Sequence, residues 1–201
     1  MLTCQNISLF SLNTKVIFTN LSITLLSGAI VMIRGKNGAG KTSLLRIISG
    51  IQTPSQGEVF INNVRISELA RPFIGYLGHR LGLKLELTVE ENLIMWAKFY
   101  SSEMMIPAAV TYFSLQELLQ QPVYKLSSGM KKKVALARLM SCHSKIWLLD
   151  EVEANLDEEN RKLLYNAIAI KASSGGIILW ASHLICPWQN IEEIRLEDFN
   201  E

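Results

Sequence analysis

The chain alternates between short apolar runs and longer stretches with apolar residues at helical spacing. Residues 2–9 and 16–26 read as two strands of a meander, with turns at Asn13 and at Ser27-Gly28. Residues 29–34 (AIVMIR) are short, apolar and β-rich, the pattern of a strand covered on both faces. A glycine-rich octet follows, then a helix-period stretch at 43–49. Pro54 and Gly57 break the chain before a strand at 58–61, a turn at Asn62-Asn63 and a strand at 74–79. From about 83 to 119 the pattern changes. Residues 89–100 and 108–119 carry apolar positions at helical spacing and predict a helical insert. A long helix is expected over 130–141, a buried strand over 146–150, a helix over 158–172, a break at 173–176, and strands at 177–182 and 192–196. Strands alternating with helices predict an α/β fold, a mainly parallel sheet flanked by helices, to which the meander adds an antiparallel β edge. One domain is expected over 1–201, with an inserted α-helical subdomain at about 80–142.

Composition narrows the classes. At 201 residues, 49% apolar and only 19% charged, the chain can bury a real core and is far from disordered composition. Its mean hydropathy of +0.21 is high for a soluble monomer and suggests a hidden interface. Twenty basic and eighteen acidic residues leave a formal charge of +2, too small a field for a nucleic-acid partner. The longest apolar runs, such as 146–149 and 177–181, fall short of the roughly 18 residues that a membrane span needs. The start, MLTCQNISLF, lacks the basic-then-apolar layout of a secretion signal. Cys4, Cys142 and Cys186 are scattered and odd in number, without metal-ligand or disulfide spacing, as expected in a reducing cytoplasm.

Chemistry concentrates at three places. Gly35-Lys36-Asn37-Gly38-Ala39-Gly40-Lys41-Thr42, followed by Ser43, matches the phosphate-binding pattern GxxxxGK[ST], with a strand before it and a helix after. Glycines let the backbone curl so that successive N–H groups face phosphate oxygens, and the helix adds its positive end. Lys41 would reach the β- and γ-phosphates, and Thr42 would offer its hydroxyl to Mg²⁺. Asp150 and Glu151 close the buried strand at 146–150; there Asp150 suits the metal shell, and Glu151 suits a general base acting on water. The third place is Leu126-Ser127-Ser128-Gly129, which opens the helix carrying VALAR at 134–138.

That third element resembles the LSGGQ signature of ABC-transporter nucleotide-binding domains. Ala154-Asn155-Leu156-Asp157 is similar to the family's D-loop, and His183 to its switch histidine. The motifs stand in family order from Gly35 to His183. The resemblance implies an ATPase using ATP and Mg²⁺, with a P-loop NTPase core. It also implies a homodimer in which Ser127, Ser128 and Gly129 of one copy meet the γ-phosphate of ATP held by the other. Glu151 would activate water, His183 would contact the γ-phosphate, and His79 stands where the family carries a glutamine that touches Mg²⁺ and water. The chain departs from the pattern at Ser128, Met130 and Val152, which stand for a glycine, a glutamine and a proline. Phe10 is the candidate for stacking on adenine, with a core role as its alternative.

GYLGHR at 75–80, GLKLELTVEENL, WLLDE and the short chain resemble most the ATPase subunit of the cytochrome c maturation haem exporter. That implies a peripheral subunit on the cytoplasmic face of an inner membrane, bound to separate integral-membrane subunits. Other membrane cargo, or a non-transport ABC protein acting on nucleic acid or ribosomes, is the alternative. Lys131, Lys132 and Lys133 read as a solvated helix start or as phosphate attractors. Met95, Trp96, Phe99, Tyr100, Met104 and Met105 read mostly as core, with some facing a groove for a membrane partner. Cys186-Pro187 reads as an idle thiol beside a proline rather than a haem site.

Overall fold

A computed structural model describes residues 1–11, 15–68, 73–154, 156–184, 188–189 and 191–200. The expectations at Asn13, Asn155 and Cys186-Pro187 lie outside the described residues. Nine strands are described, β1 (Leu2–Phe10), β2 (Val16–Leu25), β3 (Ile30–Arg34), β4 (Gln56–Ile61), β5 (Val64–Arg65), β6 (Ile74–Leu77), β7 (Ile146–Asp150), β8 (Ile177–Ala181) and β9 (Glu192–Arg195). Five α-helices are described, α1 (Lys41–Ile48), α2 (Val89–Tyr100), α3 (Ile106–Tyr112), α4 (Ser128–Ser141) and α5 (Glu158–Ser173).

The strands form two sheets. One is parallel throughout, in the order β6-β7-β8-β3-β9; the other is antiparallel, in the order β2-β1-β4-β5. The antiparallel β edge expected from the meander is thus a sheet of its own, with β4 returning to pair along β1. The parallel sheet is covered on both faces, which explains why β7 and β8 are buried at every position. Alternate residues face opposite layers. Trp147, Leu149, Ile178 and Trp180 join α2, α3, α4 and α5 in one core. Ile146, Leu148, Ile177 and Leu179 join α1 and the antiparallel sheet in the other.

Helices α2, α3 and α4 and short 3₁₀ turns occupy most of the stretch from Val89 to Ser141, with a difference from the expected pattern in the second helix. The helix expected over 108–119 starts earlier, with Pro107 in its first turn, and stops at Tyr112. Ser114 turns left-handed (φ 52°), and the Leu115 N–H reaches back to the Val110 carbonyl at 3.0 Å. Phe113 and Leu115 are both buried in the same core. Two residues apart on a helix they would point roughly 200° away from each other, so the chain must leave the helix to bury both. The tail strand β9 pairs with β3 in parallel, Arg195 beside Arg34, and this places the C-terminal segment next to the glycine-rich loop.

Candidate active site

Strand β3 runs straight into the glycine-rich loop, and α1 begins at Lys41. Gly40 caps that helix at φ 98°, and a Cβ there would meet Ile17 Cγ2 at 2.7 Å and the Phe18 ring at 3.0 Å. Only glycine satisfies both the backbone angle and that approach. A cleft of about 410 Å³ opens over the loop, lined by Ile17, Asn37, Gly38, Gly40, Lys41, Thr42, Ser43, His79 and Glu151.

Lys41 is buried, and its ammonium sits at the centre of the site. Nζ donates to the Gly35 carbonyl at 2.8 Å and to the Lys36 carbonyl at 3.3 Å, and lies 3.0 Å from His183 Nε2 and 3.8 Å from Glu151 Oε1. His183 Nε2 is also 3.1 Å from Glu151 Oε1. That single ring nitrogen accepts from Lys41 when unprotonated and donates to Glu151 when protonated, so one proton decides which neighbour it serves. His79 Nε2 lies 3.6 Å from Glu151 Oε2 on a largely exposed side chain. The Glu151 backbone is left-handed (φ 53°), and its N–H donates to the Ala181 carbonyl at 3.0 Å. A non-glycine residue in that region is strained, and the surrounding sheet holds it there. The strain aims the carboxylate at the mouth of the strand.

Asp150, buried at the end of β7, accepts from the Thr42 hydroxyl at 3.0 Å and from the Tyr76 phenol at 3.0 Å. Burial, followed by the Asp150 charge, pushes the Tyr76 phenol up to about 12. Thr42 and Asp150 together offer a hydroxyl and a carboxylate oxygen. Such hard donors suit Mg²⁺, which takes one or two protein oxygens and fills its shell with water and phosphate. Among the described residues no group of three or more His, Cys, Asp or Glu could hold a metal alone. A two-oxygen site of that kind needs none.

Residues of the expected site divide into groups. Asn37, Gly38, Gly40, Lys41, Thr42, Ser43, His79 and Glu151 line one cleft, with Asp150 and His183 bonded behind them. Gly35, Lys36 and Ala39 shape the loop without lining that cleft. The Lys36 N–H instead donates to Glu197 Oε1 at 2.7 Å. Glu197's own backbone N–H and that of Lys36 hold its carboxyl below the ordinary value. Ser127, Ser128 and Gly129 lie apart from the cleft of their own chain. Ser127 is exposed and caps α4, its hydroxyl accepting from the Met130 N–H at 3.2 Å. Phe10 is not in the lining, where Ile17 supplies the apolar wall. Lys132 is bonded to the Ala154 carbonyl and Lys131 to the Tyr124 carbonyl, so two of the three lysines have protein partners. Glu197 and Ile17 escaped sequence reasoning because each sits on an ordinary strand or tail position with no motif around it; Tyr76 lies within the GYLGHR segment, but nothing in that segment signals its bond to Asp150.

A second cleft, about 570 Å³, lies between the β6 edge and the helical stretch, where Trp96, Phe99, Tyr100, Arg80 and Arg138 are among its walls. Phe99, Met104 and Met105 are exposed and Met95, Trp96 and Tyr100 half-buried, so none of the set expected mostly in the core is fully buried; these side chains wall the surface cleft or face outward instead.

The family model described as "ABC transporter" matches residues 18–154. Cytochrome c biogenesis ATP-binding export protein CcmA of Rickettsia bellii is 55% identical over 174 residues, covering 87% of this chain and 89% of that one. The protein of the same name from Rickettsia conorii is 49% identical over 191 residues, 95% of this chain and 100% of that one. Among solved structures, a dimeric ATP-binding cassette in a post-hydrolysis state, bound to ADP and Pi, superposes with a TM-score of 0.80 at 21% identity, covering 92% of this chain and 88% of that chain.

Proposed function

The chain belongs to the ABC transporter family, and from that premise we propose that it is the ATP-binding and ATP-hydrolysing subunit that powers haem export in cytochrome c biogenesis. The observation that carries the reading is the convergence of Lys41, Thr42, Asp150, Glu151 and His183 at one cleft, on the ends of β3, β7 and β8. We treat residues 1–201 as one nucleotide-binding domain with a helical subdomain at about 80–142.

The chemistry follows from the placement. The loop N–H groups and the start of α1 receive the phosphates of ATP, and Lys41 exchanges its carbonyl partners for β- and γ-phosphate oxygens. Mg²⁺ held by Thr42 and Asp150 would neutralise phosphate charge. Glu151 takes a proton from water as the water oxygen bonds to the γ-phosphorus; the bond to the β–γ bridging oxygen breaks and ADP leaves. His183 and His79 flank Glu151 and orient the γ-phosphate and water. The exposed Ser127 turn serves a second copy: two chains enclose two ATP molecules, each capped by Ser127, Ser128 and Gly129 of the mate. The aromatic cleft around Trp96 and Phe99 receives separate integral-membrane subunits of the cytochrome c maturation type. The dimer then sits at the cytoplasmic face of the inner membrane. The dimeric state of the structurally similar cassette supports this reading.

The test is direct. Lys41→Ala is expected to abolish binding of a fluorescent ATP analogue. Glu151→Gln is expected to bind ATP, lose turnover and elute as a dimer in size-exclusion chromatography with ATP and Mg²⁺. Full steady-state ATPase activity of Glu151→Gln in the complex with its membrane subunits rejects the general-base role.

A further inference from the structure

Among the described residues two carboxylates are buried: Asp150, bonded to Thr42 behind the cleft lining, and Glu153, which the mechanism above leaves unused. Burying a carboxylate is costly unless donors surround it. Glu153 has two. The Trp180 indole N–H donates to Oε2 at 2.8 Å, and the Ser182 hydroxyl donates to Oε1. Ser182 in turn accepts the Leu184 N–H at 3.0 Å, closing a tight turn around His183. Arg34 clamps the same turn from the other side, donating to the Ser182 carbonyl at 2.9 Å and the Leu184 carbonyl at 2.6 Å.

The Glu153 backbone belongs to the other half of the site. It lies two residues after Glu151, in a turn where the Ala154 N–H reaches the Glu151 carbonyl at 3.2 Å. The next carbonyl along, that of Ala154, accepts from Lys132 on α4, five residues past Ser127. One short route of bonds therefore runs from the helix behind the Ser127 turn, through the segment after Glu151, to the turn bearing His183.

We propose that Glu153 is a positioning residue: its carboxylate ties the segment following Glu151 to the Ser182–Leu184 turn, so that base and histidine keep one relative geometry when that segment is pressed by the mate. The proposal rests on the ATPase reading above. His183 Nε2 lies 3.1 Å from Glu151 Oε1, and a tether beneath both residues preserves that spacing. Glutamine at 153 keeps the shape, but its amide nitrogen must face one of two donors, so one side of the tether opens.

The experiment uses the complex purified with its membrane subunits. Turnover by the wild-type complex tests the ATPase reading first, and its absence removes both that reading and this proposal. With wild-type turnover present, Glu153→Gln is expected to lower kcat by about 10- to 100-fold, the scale of a slightly misplaced catalytic group, while KM for ATP stays within about twofold. Ser182→Ala, a small change that leaves the carboxylate in place, should show the same split. The double variant should be no slower than Glu153→Gln, because both break one tether. Wild-type kcat in both single variants, or additive losses in the double variant, overturns the proposal. If Glu153→Gln does not fold, Ser182→Ala alone decides through its kcat at unchanged KM.

Discussion

Cys4 and Cys142 are buried thiols, one in β1 and one just past α4. Burial pushes Cys4 from 9.0 up to about 12 and Cys142 up to about 11. Both stay neutral and unreactive in the folded chain at neutral pH. In a Cys186→Ser background, iodoacetamide should label neither thiol in the native protein and both in urea. The same shifts set a pH dependence. A thiol whose folded pKa is raised contributes fully below about pH 9 and loses that contribution as pH rises toward the folded value. The unfolding free energy from urea titrations should therefore fall above pH 9, by at most about 1.4 kcal/mol per pH unit for each thiol. Cys4→Ala should flatten that slope. None of this was visible beyond the scattering of three cysteines, because burial belongs to the packed core and not to the residue.

Helix ends carry the next level. Thr88 opens α2 with a reciprocal cap: its hydroxyl accepts from the Glu91 N–H at 3.1 Å, and the Glu91 carboxylate accepts from the Thr88 N–H at 2.8 Å. Thr88→Ala should cost about 1 kcal/mol, a drop of roughly 2–4 °C in Tm for a chain of this size, read by thermal denaturation. Elements built from local rules were legible in this way. The α2 range at 89–100 and the β7 range at 146–150 were read from spacing and apolar runs alone. The helix after Ala108 was not, because Phe113 and Leu115 compete for one core and override the local period. Gly57 looked like a simple break, yet it sits at φ 85° with its missing Cβ only 2.4 Å from the carbonyl oxygens of Gln5 and Asn6. It lets β4 lie against β1, a pairing no local pattern announces.

Across the whole molecule, the two cores meet at the parallel sheet, and the cleft proposed to take ATP lies at the ends of β3, β7 and β8. A ligand that binds only the folded chain stabilises it by mass action. ATP with Mg²⁺ at about 100 times its dissociation constant should add about 2.7 kcal/mol, or roughly 5–10 °C in Tm. Differential scanning fluorimetry of Glu151→Gln checks this, and Lys41→Ala should show no shift. A rise that persists in Lys41→Ala would place the nucleotide elsewhere on the surface.

The loop from Gly35 to Thr42 and the Asp150-Glu151 pair are legible because their chemistry is encoded in neighbouring residues; the Ser127 turn and His183 are marked only by resemblance to a family's motifs. Glycines curl the backbone, and a buried strand delivers carboxylates at its end. The fold class followed from the same local periods. Only the tertiary structure decided that β9 lies beside β3 and brings Glu197 to the Lys36 N–H, that Tyr76 bonds Asp150, and that Glu153 reaches Ser182. Those contacts join residues 29 to 161 positions apart. Strand order and packing set such distances, and a one-dimensional pattern carries no term for either.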